Sequence, residues 1–78
     1  MPKLGEKTKT YRVIFYGENR PEISLVQLFS DQDQALDSGI QTLWVLAPGW
    51  DHFKIWQIKN LHMFKGVVHT YHLKDEPK

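Results

Sequence analysis

Four histidines and no cysteine are the starting point for any chemistry in this 78-residue chain. A thiolate metal site and a cysteine nucleophile are therefore excluded. His69 and His72 form an H-x-x-H pair, with His52 and His62 as further nitrogens. Zinc needs three or four convergent ligands at about 2 Å. The segment that carries the pair, VVHTYHL, is β-branched and aromatic, and on a strand positions three apart point to opposite faces. No metal centre is expected. Ser24, Ser30 and Ser38 lie in no nucleophile elbow. Asp31, Asp33 and Asp37 stand where a helix begins, a place for capping and dipole compensation rather than acid catalysis. The glycines are scattered, so no phosphate-cradling loop is formed. The residues point away from an enzyme and away from a cofactor or small-molecule substrate.

The elements that position these side chains are legible as patterns. Ser30–Ala47 reads as a helix, with Ser30 as cap and Asp33 completing a capping-box-like start. Leu36, Ile40, Leu43 and Ala47 recur at three- and four-residue steps, and Trp44 is expected to widen that buried stripe. Pro48-Gly49 ends the helix. Four strand-like segments flank it: 10–16, 23–29, 53–64 and 67–73. The first pair is joined by the turn residues GENRPE, and Lys65-Gly66 is expected to turn between the last two. Lys59-Asn60 breaks the alternation of the third segment and marks a bulge or bend.

The order is therefore ββαββ, a small antiparallel sheet with one helix on one face, in the α+β class. A β-grasp variant would pair the first and last strands in parallel. Residues 1–9 are expected to form a mobile arm, 10–74 the single domain, and 75–78 a disordered tail. A chain this short has a thin stability margin, and without cysteine it has no disulfide to widen it. No segment has the apolar length of a signal peptide or a membrane span, so a cytoplasmic location and no membrane partner are expected.

Counting strand faces gives the strongest functional signal. Tyr11, Val13 and Phe15, then Ile23, Leu25 and Phe29, then Phe53 and Ile55, then Val67, His69, Tyr71 and Leu73 are assigned to the helix side. The remainder is still apolar: Ile14, Tyr16, Val26, Leu28, Trp56, Ile58 and Val68. A half-solvated sheet alternates apolar with polar residues, and an unshielded apolar patch marks an interaction site. The expected function is stoichiometric protein binding through the helix-free face, as a homodimer or as an adaptor or inhibitor of a larger protein. Ile14, Tyr16, Val26, Leu28, Trp56 and Ile58 are the expected contact residues, with Lys54 and Lys59 at the rim.

Charge supplies the rival reading. The net charge is only +1, but it is unevenly spread. Glu18, Glu22, Asp31, Asp33 and Asp37 crowd the first half, while residues 52–74 hold four lysines, all the histidines and no carboxylate. Arg12, Lys54, Lys59, Lys65 and Lys74, with Trp56 and His72 for stacking, would suit a nucleic-acid partner. Scarce arginine and the lack of any recognised nucleic-acid-binding signature weigh against it.

Overall fold

A computed structural model describes residues 9–60 and 62–75. Its elements are β1 (Thr10–Gly17), β2 (Arg20–Ser24), α1 (Gln32–Leu46), β3 (His52–Asn60) and β4 (Met63–His72), followed by a single 3-10 turn (Leu73–Asp75). One four-stranded sheet runs in the order β2-β1-β3-β4, with β1–β2, β1–β3 and β3–β4 all antiparallel. The fold is α+β. β4 pairs with β3 and not with β1, which corrects the β-grasp variant. Apart from Lys9 and Asp75, the arm and tail expected from the sequence lie outside the described residues.

The core forms where odd-numbered strand residues meet the helix. Tyr11, Val13, Phe15, Phe29, Phe53 and Ile55 cluster with Ala35 and Leu43 of α1, and Leu36, Ile40 and Leu46 pack at the margin. The buried line of α1 is Ala35, Gly39 and Leu43, at four-residue steps. Its two small members allow close approach: a Cβ on Gly39 would lie 2.6 Å from the Phe53 ring. Trp44 is one helical step of about 100° past Leu43, and it is 53% exposed. This corrects the expectation of a core tryptophan.

Helix ends follow local chemistry. Asp31, not Ser30, is the cap, its carboxylate accepting from the Asp33 N–H at 3.0 Å. At the other end Ala47 N–H donates to the Leu43 carbonyl at 2.8 Å, and Pro48 stops the ladder.

Strand boundaries differ from the expected ones for three physical reasons. First, the β1–β2 turn is only Glu18-Asn19, with Asn19 left-handed at φ 59°, so β2 begins at Arg20. Pro21 is tolerated there because β2 is an edge strand. Second, β2 does not run straight to Phe29. Leu25 N–H donates to the Val13 carbonyl, and Phe29 exchanges two backbone bonds with Tyr11. Four residues thus span what β1 covers in two, and Val26–Leu28 loops out. Third, the β3–β4 turn lies at Asn60–Met63, where the Asn60 side chain accepts from the His62 N–H at 2.7 Å. Gly66, expected in a turn, lies inside β4 opposite Gln57.

Continuity past that point requires bulges. Ile55 faces His69 but Trp56 faces Val67, so Val68 is an extra residue. Gln57 faces Gly66 and Ile58 faces Phe64, which makes Lys65 a second. Ile58 then faces Phe64 and Asn60 faces Met63, leaving Lys59 extra in β3. The first bulge shifts the phase of β4, so Val67 joins Trp56 on the outer face. Val67 had been assigned to the helix side.

Candidate interaction surface

The face of the sheet turned away from the core is built on even-numbered residues of β1 and β3, with β4 brought into phase by its bulges. At one end a row of rings crosses three strands. Tyr16 stacks on His52 with centroids 5.3 Å apart, and His52 on His72 at 4.8 Å. The ladder makes this row, since His52 is the partner of Tyr16 in β1 and of His72 in β4. Lys54 Nζ sits 5.2 Å from the Tyr16 centroid, and Trp56 Nε1 donates to the Tyr16 hydroxyl at 3.2 Å. Burial, with the Glu22 carboxylate nearby, pushes the Tyr16 hydroxyl above its ordinary value, against the lowering effect of the Trp56 bond.

The other end is more apolar. Phe64 meets Trp56 edge to face at 5.4 Å, and Arg12 lies over the Phe64 ring at 6.0 Å. The Arg12 guanidinium is also held by Ser24 Oγ at 2.6 Å. Phe64 is 41% and Val67 42% exposed, so this is the part of the face that remains open. The expected contact residues divide accordingly. Ile14, Tyr16, Trp56 and Lys54 are half-buried on this face. Ile58, whose ladder partners are Thr10 and Phe64, is buried and offers little surface. Val26 and Leu28 stand exposed on the excursion beyond β2, and Lys59 on its bulge at the hairpin end. Phe64 and Val67 were not among the expected contacts. Only the bulge register brings them here.

The basic residues of the nucleic-acid reading are not gathered. Arg12 and Lys54 share the outer face, Lys65 lies on a bulge near the hairpin turn, and Lys74 follows the far end of β4. Lys74 lines a shallow hollow of about 250 Å³ with Asp51, His52 and His72. There His52 Nδ1 meets Asp51 Oδ1 at 2.7 Å, a hydrogen bond that holds the Asp51 carboxyl below its ordinary value. His69 stands opposite Ile55 while His72 stands opposite His52, so the H-x-x-H pair is divided between faces. Among the described residues no three potential metal ligands come together, and no helix is long and apolar enough to cross a membrane.

Trp50, a possible roof for the outer face, packs elsewhere. Its Nε1 donates to the Pro21 carbonyl at 2.8 Å and Arg20 covers its ring at 5.4 Å. Leu4, the other possible roof, is outside the described residues. No protein-family model, curated protein or solved structure matches the chain.

Proposed function

We propose that this chain is a non-enzymatic binding module that associates with a protein through the outer face of its sheet. The observation that carries the reading is the exposed Phe64–Val67 surface beside Trp56, continuous with the Tyr16–His52–His72 row. Rings fixed by one another lose little freedom on binding, and aromatic anchors beside arginine are the usual centre of a protein interface. We read the role as stoichiometric, as homodimer, adaptor or inhibitor, and the location as cytoplasmic.

The test is a surface variant, Phe64→Ser with Val67→Ser, compared with the parent in a pull-down followed by quantitation of bound protein. Loss of a stoichiometric partner with an unchanged thermal melt supports the reading. Equal recovery by both proteins overturns it.

A nucleic-acid partner is the second reading, favoured by Arg12 and Lys54 lying over aromatic rings. Against it, His52 has a ring on each side at stacking distance, leaving no gap for a base. Affinity for single-stranded DNA that falls steeply with salt would promote this alternative.

A further inference from the structure

The sheet is not the only element with an unused apolar surface. On the solvent side of α1, Asp33, Asp37, Gln41 and Trp44 follow one another at three- and four-residue steps, and all are exposed. Val45 beside them is 82% and Trp44 53% exposed, in a helix that holds no lysine, arginine or histidine. Gln41 Nε2 donates to Asp37 Oδ2 at 3.1 Å, holding that carboxylate on the same face. This surface is apolar with negative charge. The outer face of the sheet is apolar with positive charge, from Arg12 and Lys54, and Glu22 at its β2 margin is the only facing carboxylate on the strands.

We infer that the outer sheet face receives the solvent side of α1 from a second copy of this chain. The inference rests on the binding reading above and names the partner. Each molecule offers a sheet short of one helix and a helix with a spare apolar side. Stacking them places Trp44 and Val45 against Trp56, Phe64 and Val67, with Arg12 alongside, and sets Asp37, about 10 Å back along the helix, toward Lys54. Apolar contact supplies affinity, and the opposed charges select orientation and suppress the sheet-to-sheet alternative, which would bring Arg12 and Lys54 of two copies together. The contact is head-to-tail, since different patches meet, so it repeats along a chain of molecules unless a ring closes.

Two variants test it, each disabling one patch at exposed or half-buried side chains outside the core cluster. Asp37→Lys with Trp44→Ala disables the helix patch, and Lys54→Glu with Phe64→Ala disables the sheet patch. Sedimentation of the full chain from micromolar to millimolar concentration is expected to show association that weakens with salt. Each variant alone is expected to lose association by about tenfold or more, with its circular dichroism unchanged. An equimolar mixture of the two is expected to form a one-to-one dimer, because each contributes the patch the other lacks. A parent that stays monomeric overturns the inference. Association lost in the sheet variant but kept in the helix variant overturns the helix as partner and leaves the sheet reading standing. Association kept in the sheet variant overturns both. If each variant alone is monomeric and the mixture gives no dimer, the contact is not head-to-tail and the inference fails.

Discussion

Gly39 of α1 lies against the Phe53 ring so closely that a methyl group there would fall 2.6 Å from Cε1 and Cζ. Alanine favours helix over glycine by about 1 kcal/mol, so on propensity alone Gly39→Ala should stabilise. Overpacking a filled core costs about 1–3 kcal/mol, and the obstacle is a ring pinned edge-on by Phe15 at 5.5 Å and stacked on Tyr71 at 5.3 Å. Gly39→Ala is therefore expected to lower the urea midpoint, and Phe53→Leu in the same chain to recover part of the loss. A raised midpoint for the single variant would show that the helix can move away freely.

Trp44 is exposed on α1 and lies outside the core cluster. Trp44→Ala is expected to change folding stability by less than about 1 kcal/mol, as for other surface positions. A buried tryptophan would cost about 3–5 kcal/mol. Chemical denaturation of the dilute protein measures this directly.

Tyr71 offers a test of an orphaned group. Its hydroxyl is buried with no hydrogen-bond partner among the described residues, while its ring stacks on Phe53. Removing an unsatisfied buried group relieves a desolvation cost. Tyr71→Phe is expected to leave the thermal midpoint unchanged or raise stability by about 1 kcal/mol. A clear drop would reveal a bond to that oxygen.

The Asp51–His52 contact predicts a pH dependence of definite sign. The hydrogen bond holds the folded Asp51 carboxyl below the ordinary 3.8. Its contribution is therefore fully present above that value and is lost as the pH falls through the lowered folded one. The carboxylate is largely solvated, so the effect is small. Asp51→Asn is expected to melt slightly below the parent at neutral pH, with the difference closing once acid has protonated Asp51. A difference that persists or grows in acid would contradict this linkage.

Much of the architecture could be read from residue types. The inner side of β1 and β3 followed from simple alternation, since Tyr11, Val13, Phe15, Phe53 and Ile55 are all buried. The phase of α1 was harder, because Ala35 and Gly39 carry little hydrophobic signal and matter for the closeness they permit. The open part of the interaction surface was hidden for another reason. A bulge reverses every later side chain on its strand, and whether Val68 and Lys65 are extra depends on β3, not on β4 alone. The Tyr16–His52–His72 row is likewise a property of register, joining residues far apart in the chain. The aromatic content was visible in the sequence, but which rings touch was not.

The departure of Val26–Leu28 from the sheet edge gives this small molecule a place where its covalent length can change. Leu25 and Phe29 are each anchored to β1 by their own backbone bonds, and Val26 between them is 96% exposed. A peptide epitope or fluorophore attachment sequence spliced in after Val26 would begin and end in solvent. The anchors on either side would hold, making this segment the natural graft point for a reporter.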